Sequence, residues 1–500
     1  MKKEEKSCCV LTLELYPEKW QIDIIEKRFR IAELLYNSFV EKQLKKYKNL
    51  AQTKIFRDIE SEMTNIYKDK DKDKEKRYKE LSKMRSNMLV EAGLSERGKK
   101  IGFSANMTKH YKHFNMHIGS ETAQCLSEDA WRAFDKMLYG NGKKVHFKKK
   151  GSLSSIPNKT SGMKYDPVTN QFVWTVNRKS MTICVKELRT DYEFEISKFH
   201  IKRYRVVRKW RKNKFKYYLQ ITLDGKPPKK DRAIGVGRVG LDMGTQSIAI
   251  VSNTDVKLLE LANNVNNNDR KMKLLQRKMD RSRRIMNPDN YNEDGTIKRG
   301  VKLTWIESNR YKRLRNKVRE LHRKNADIRK YQHICLANYI LSLGTEIYVE
   351  TMNYSALKKR SEKTEKNDKG KYKSKKRFGK SLANKAPAMF LNILDLKLKM
   401  LGYEGIKKVD TWEYKASQYD HLSQQYNKKK LSNRKHHLEN GDILQRNLYS
   451  AFLIMCADET LKHQDDNLCN KFYNNFKYMH DQEIQRIKEV KGHKLTSFGF

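Results

Sequence analysis

The chain has 500 residues, too many for one compact core, so two to four domains are expected. It carries 108 Lys and Arg against 59 Asp and Glu, a formal net charge of +49 spread through most of its length; such self-repulsion calls for a polyanion, and a long nucleic acid answers it where a few phosphates do not. Seven cysteines without a CxxC pair argue against a disulfide framework or a cysteine zinc site, and the lack of a bilayer-length apolar run or a leader-like h-region points to a cytoplasmic, nucleic-acid-facing protein.

In chain order, "VLTLEL" (10–15) alternates so that Leu11, Leu13 and Leu15 share one face, which predicts a strand ended by Tyr16-Pro17. A helical region is expected from Trp20 to Tyr139. Within it, the alternating charges of "DKDKDKEKRYKE" (69–80) suit a solvated helix or loop. From about 143 to 225 the character changes. "QFVWTVNRKSMTICV" (171–185) and "FHIKRYRVVRKWRKNKFKYYLQITLDG" (199–225) mix β-branched, aromatic and cationic residues and predict strands of a basic barrel or sheet. The turn-rich "KPPKKDRAIG" (226–235) marks the main domain boundary.

Beyond it, "VGRVGLDMGTQSIAIVSN" (236–253) predicts a β-hairpin, followed by a long basic helical region broken at "NPDNYNEDGTIKRG" (287–300). Leu314, Val318, Leu321, Ile328, Tyr331 and Cys335 form one apolar helical stripe. "GTEIYVETMN" (344–353) and "GIKKVDT" (405–411) predict short strands. "SEKTEKNDKGKYKSKKR" (361–377) predicts a mobile loop, and Pro387 opens a helix. "GDILQRNLYSAFLIM" (441–455) starts an amphipathic helix with a functional group at its first turn. Strands alternating with helices from 236 onward predict an α/β domain with a mixed sheet.

Two carboxylates stand out. Asp242 closes one short apolar strand and Glu350 ends another about a hundred residues later. A carboxylate at the end of a buried strand needs a partner, and a metal ion is one. Nucleases that hydrolyse phosphodiesters use such carboxylates to hold two Mg²⁺ ions roughly 4 Å apart.

"VGLDMGTQSIAIVSN", "EIYVETMNYSAL", "YKASQYDH…KKKLSNRKH" and "QRNLYSAFLI" follow one another at plausible spacing. In this the chain resembles the TnpB family of transposon-encoded RNA-guided nucleases and the compact type V CRISPR effectors descended from it, over roughly 236–457. The resemblance implies an α/β plus α+β multidomain protein. Residues 1–19 would give the first strand of a basic, β-barrel-like wedge domain, 20–140 a helical recognition domain, and 141–230 the rest of the wedge. Residues 236–411 would begin a RuvC-like domain of RNase H type with a helical insertion and a lid loop (361–386). A target-nucleic-acid-binding insert (412–445) and the RuvC-like C-terminal helix and tail (446–500) would follow.

The same resemblance implies a guide RNA and a complementary double-stranded target DNA as partners, with no membrane, in a monomer or homodimer associated with the nucleoid of a prokaryotic cytoplasm. Asp242 and Glu350 match the first two acidic positions and would hold Mg²⁺. At the third catalytic position, where the family reads Arg-Asp or Asp-x-Asn, this chain has Arg446-Asn447. An amide oxygen lacks the negative charge that a hard cation favours, so guided binding with impaired or absent cleavage is expected, by natural loss or engineered inactivation. One alternative is an active nuclease in which Asp442 or Asp410 substitutes for the missing carboxylate. A second is an unguided nucleic-acid-binding transposition accessory protein.

The family's insert often carries a Cys₄ zinc site. Here it has no Cys, and His421, His436 and His437 make no convincing zinc set, so no zinc is expected. Lys415, Gln418, Lys428, Lys429, Lys430 and Arg434 are candidate phosphate contacts, with Tyr419 and Tyr426 available to stack on bases. In the first half, "KKVHFKKK" (143–150) with Lys148 and Lys149, and "RYRVVRKWRKNKFKYY" (203–218) with Arg208, Trp210 and Arg211, are candidate surfaces for an A-form backbone.

Overall fold

The structure is a computed structural model that describes residues 7–69, 75–94, 109–139, 142, 144–211, 214–228, 232–362, 364–367, 378–428, 430, 433–490 and 495–499. The chain divides into two units, Met1–Pro228 and Lys229–Phe500, with the division inside the turn-rich linker. Among the described residues no helix is long and apolar enough to cross a membrane. Residues 70–74 of the charge-alternating stretch lie outside the described residues, as do 363 and 368–377 of the basic loop and Lys429.

The first unit opens with β1 (Cys8–Tyr16), whose alternation buries Leu11, Leu13 and Leu15. Helices α1 (Lys19–Ala51), α2 (Lys54–Asp69), α3 (Glu75–Glu91) and α4 (Ser120–Leu138) follow. Glu18 and Gln21 close a reciprocal capping box at the start of α1. Next come β2 (Ser155–Asn158), β3 (Met163–Asp166), β4 (Gln171–Val176), β5 (Lys179–Val185), the short α5 (Asp191–Ser197), β6 (His200–Arg211) and β7 (Lys214–Asp224). They form one seven-stranded sheet in the order β2-β6-β7-β1-β5-β4-β3. The ladder leaves β2 and β3 at its ends, so backbone pairing among the described residues does not close a barrel. The sheet still curls: the Tyr204 hydroxyl of β6 accepts from the Tyr165 amide of β3 at 3.2 Å.

The described residues of the basic segment before β2 form no strand. It runs along α1, where Asn37 exchanges two hydrogen bonds with the Lys148 backbone and Glu33 accepts from the Gly151 and Leu153 amides.

The second unit is built on a five-stranded sheet of β8 (Arg238–Met243), β9 (Ser247–Ser252), β10 (Val256–Glu260), β11 (Glu346–Glu350) and β12 (Lys407–Val409). The order is β10-β9-β8-β11-β12. The first three strands are antiparallel neighbours, whereas β11 and β12 run parallel to β8, a mixed sheet. Between β10 and β11 lie α6 (Asp269–Met286) and α7 (Asn309–Leu343), which pack on each other through Leu275, Leu314 and Leu321. Past β11 come α8 (Tyr354–Lys358), α9 (Gly379–Lys385) and α10 (Pro387–Leu401), the last with Pro at its first turn. Helix α9 falls in the C-terminal part of the expected lid loop and is anchored by buried Leu382 and by Lys385, which is paired to Glu260 at 2.7 Å.

The apolar stripe of α7 holds only in its first half. Tyr331 and Cys335 are exposed, while His333, Ala337, Ile340 and Leu341 are buried. A helix of 35 residues outruns its first partner, α6, and then meets the sheet with α10, so its buried face rotates.

After β12 the chain makes α11 (Thr411–Tyr414) and two small hairpins. These are β13 (Tyr419–Asp420) with β14 (Gln425–Tyr426), and β15 (Lys435–His437) with β16 (Ile443–Gln445). Helices α12 (Arg446–Met455) and α13 (Asp466–Glu489) end the fold.

Strand alternation sorts the side chains into two cores. Leu241, Ile250, Ile347 and Val349 face α7 and α10, packing on Phe390, Leu394 and Leu398. Ala249, Val251, Tyr348 and Val409 face α12 and α13. Each fully buried Leu or Phe in these layers contributes about 1.5–3 kcal/mol.

Helix α12 lies directly on β8 because residue 240 is glycine. A Cβ there would stand 2.0 Å from the Ala451 carbonyl oxygen and 2.5 Å from the Met455 amide. Gly240→Ala is therefore expected to lift the helix and destabilise the unit by about 3 kcal/mol, near the upper end for overpacking. The denaturant midpoint reads this, and a change below about 0.5 kcal/mol would show that the contact is not tight.

Candidate metal and nucleic-acid site

The site grows from strand register. Val349 pairs with Leu241 in parallel β11 and β8, so the next residues along, Glu350 and Asp242, stand side by side on the opposite face, the one that α12 covers. Glu350 also pairs with Val409 of β12. Both carboxylates thus lie at the C-terminal edge of three parallel strands, where open α/β sheets bind ligands.

The third position follows from how α12 crosses the sheet. Arg238, at the start of β8, donates to the Ala457 carbonyl at 2.7 Å, and Gly240 meets Ala451, so helix and strand run in opposite directions. Going from Gly240 to Asp242 advances about 6.6 Å along a strand, and going back from Ala451 to Asn447 about 6 Å along a helix. Asn447 is therefore level with Asp242. Of the ten residues of α12, nine are buried and Asn447 is the exception.

The helix start is firmly held. The Gln445 side chain accepts from the Leu448 amide at 2.9 Å, and the Gln445 amide donates to Nε2 of buried His480 at 2.9 Å. Burial holds His480 below the usual histidine range, which keeps that nitrogen an acceptor. Arg446 is tied to the preceding loop through the carbonyls of Arg434 and Lys430.

Burial pushes the Glu350 carboxyl up from its ordinary range, and the neighbouring Asp242 charge pushes the same way. Burial raises Asp242 too, and in both cases the Arg446 guanidinium works in the opposite direction. Tyr354, at the start of α8, has a buried hydroxyl without a hydrogen-bond partner among the described residues; burial, reinforced by the Asp242 charge, raises its pKa.

Two desolvated carboxylates side by side suit one divalent cation completed by water or phosphate oxygens, and the orphaned Tyr354 hydroxyl lies within the field of Asp242. It does not fit the three-carboxylate pattern for two ions: among the described residues, no group of three His, Cys, Asp or Glu side chains could hold a metal. Neither alternative carboxylate joins. Asp410 caps α11 by accepting from the Trp412 and Glu413 amides. Asp442 accepts from the Tyr473 hydroxyl at 2.5 Å and from Asn440.

The insert is more structural than its composition suggests. His421 and His436 are buried against Tyr449, at 5.8 and 4.5 Å between rings, while His437 faces outward. Tyr419 is buried and its hydroxyl donates to Asp466, so of the two tyrosines only Tyr426 keeps an exposed ring. Lys415, Lys428 and Lys430 are exposed; Gln418 and Arg434 are partly buried.

In the first unit, Lys148 and Lys149 are exposed, with the Lys148 ammonium over the Tyr36 ring. Arg208 is only 6% exposed. It pairs with Glu26, donates to the Leu153 and Gly151 carbonyls and lies over Phe29, so it holds the sheet to α1 and presents no free cation. It sits on the inner face of its strand, which a run of mixed cations and aromatics does not reveal. Trp210 packs edge-on against Phe215 at 4.9 Å, and Arg211 lies over Tyr218. Sequence reasoning missed Tyr354, His480 and Trp412. Gly240 carried a usable signal, since a glycine inside a strand marks close backbone approach.

No family model matches the sequence, and no curated protein matches it. Among solved structures, the chain is similar to a Cas12f1–sgRNA–target DNA complex (TM-score 0.48, 13% identity, 90% of this chain and 98% of that one). It is also similar to a CRISPR-Cas12f ternary complex (0.28, 14%, 89% and 98%). A third is a Cas12i1 R-loop complex before target DNA cleavage (0.27, 10%, 94% of this chain and 65% of that one). With TM-scores below 0.5, these likenesses carry no weight for function.

A carboxyl whose native pKa lies above its unfolded value of about 4.3 binds more protons folded than unfolded, so stability falls as pH rises through that interval. In metal-free buffer, Glu350→Gln is expected to unfold at a higher temperature than wild type at pH 8, with the gap shrinking toward pH 4. Mg²⁺ should narrow the gap at pH 8 by stabilising wild type. A variant less stable than wild type at pH 8 would contradict this.

Proposed function

We propose that this chain is an RNA-guided DNA-binding protein of the TnpB and type V lineage, one that holds a guide RNA and its complementary target DNA with target cleavage silenced or strongly impaired. The observation that carries this reading is the set Asp242, Glu350 and Asn447: two carboxylates at adjacent strand ends, and a neutral amide, half-buried, at the one position of the covering helix that is not fully buried. The ordered motifs over 236–457 supply the lineage, and the net charge of +49 supplies the need for a polyanion. The β10-β9-β8-β11-β12 sheet, antiparallel then parallel with helices on both faces, suits a RuvC-like domain of RNase H type, and the curled first-unit sheet suits a wedge.

Asp242 and Glu350 would hold Mg²⁺, with Asn447 offering a carbonyl oxygen. A bound ion would supply Lewis-acid stabilisation to a phosphodiester. Without the third negative charge the site holds its cation weakly, and Arg446 already neutralises part of the remaining charge. The chain's own residues then chiefly bind and orient nucleic acid. An active nuclease with a substitute carboxylate is disfavoured because Asp410 and Asp442 are engaged elsewhere.

Two measurements test this. RNA that stays bound to the protein expressed from its own locus should be one discrete species with a constant scaffold and a separate guide; heterogeneous RNA stripped by moderate salt would sink the guided reading. On a guide-matched target with Mg²⁺, Asn447→Asp should raise cleavage by about 10²-fold or more, the scale of removing one transition-state-stabilising group. Equal and substantial cleavage by both proteins would overturn the silencing.

A further inference from the structure

The Trp412 side chain stands clear of the fold. Its side chain is 85% exposed, although tryptophan is highly buried on average. No ring or cation of the described residues stacks on it. Its backbone, by contrast, is tightly fixed. Asp410 accepts from the Trp412 and Glu413 amides, the Thr411 hydroxyl donates to the Thr351 carbonyl, and Tyr414 is buried with its hydroxyl on the Leu453 carbonyl. The indole is thus presented from a one-turn helix pinned on either side of it.

Its place is equally specific. Thr351 directly follows Glu350, and the Thr351 amide donates to Val409, the residue paired with Glu350. The Glu350 charge also acts on Tyr414, two residues beyond Trp412. The exposed indole therefore stands at the same strand edge as the carboxylate pair. Exposed Lys408 and Lys415 flank it in sequence, and Lys462 reaches Glu413 at 3.4 Å. The Lys415 ammonium lies 6.0 Å from the ring of Tyr426, itself 44% exposed. Aromatic faces interleaved with lysines suit a strand with unpaired bases: the cations track the phosphates and the rings take the bases. A paired duplex offers no free base face, and an apolar protein partner has no use for the lysines.

We propose that Trp412 is a stacking platform for a nucleobase of a single-stranded segment lying across the mouth of the carboxylate site, with Lys415 on the adjoining phosphate and Tyr426 as a second ring. This rests on the nucleic-acid-binding reading above and adds to it the residue that holds a base beside the carboxylate site.

The probe is a fluorescein-labelled, mixed-sequence 20-nucleotide single-stranded DNA, with the matching duplex as control, added to the full-length protein. Trp412→Ala should weaken single-strand binding by about tenfold or more, within the range for one base–aromatic stack, and leave duplex binding unchanged. Trp412→Phe should recover part of the loss. Tryptophan emission should be quenched by the oligonucleotide in wild type, with a smaller quench in Trp412→Ala. An unchanged thermal midpoint in both variants separates this from misfolding, as expected for an exposed side chain. If wild type and Trp412→Ala bind and quench alike, the platform is wrong while the nucleic-acid reading stands. If wild type binds neither probe, both fall. Loss of self-association in Trp412→Ala, without loss of single-strand affinity, would make the indole a contact between two copies and overturn the proposal.

Discussion

The second unit depends on one close approach, the backbone of α12 resting on β8 at Gly240. No other residue type leaves room for the Ala451 carbonyl and the Met455 amide. Once the helix lies there, antiparallel to the strand, little remains free. Arg238 meets Ala457 at one end, Asn447 comes level with Asp242 at the other, and the nine other residues of the helix are consumed by packing. A shift of even one residue would turn a buried side chain toward the carboxylates and put Asn447 into the core.

The electrostatics of the site follow from that packing. Because the helix covers the strand ends, Asp242 and Glu350 are desolvated and each disfavours ionisation of the other, a condition that a cation relieves. Arg446 gives partial relief from within the chain. A third carboxylate at 447 would add another negative charge to this desolvated pair, whereas the amide of Asn447 adds none. That difference of one atom lies at the half-buried position of the helix, and the nine buried residues are compatible with either side chain.

The two units use their charges differently. In the first, Arg208 and Glu26 are absorbed into the packing of the long β6–β7 hairpin on α1, so the exposed cations are those on the outward positions and on the segment around Lys148. In the second, the insert buries His421 and His436 against Tyr449 and Tyr419 beside Tyr426, so a small packed module results where the sequence shows a run of polar residues. Burial was hard to read there because histidine and tyrosine serve equally as core and as surface.

What the sequence determined by itself is local and periodic. The alternation at Leu11, Leu13 and Leu15, the hairpin after the linker, Pro387 opening its helix and the two apolar strands ending in Asp242 and Glu350 all follow from near-neighbour preferences, which need no knowledge of the rest of the chain. The α7 stripe shows the limit: its first half was legible, and its second half turned to a different partner. Only the tertiary structure decided that Asp242 and Glu350 are neighbours, that Asn447 overlooks them, that Asp410 and Asp442 do not, that Arg208 is internal and that Trp412 is bare. These depend on strand register and on which face each element offers. Both are settled by contacts between residues tens to hundreds of positions apart, which no pattern of near neighbours encodes.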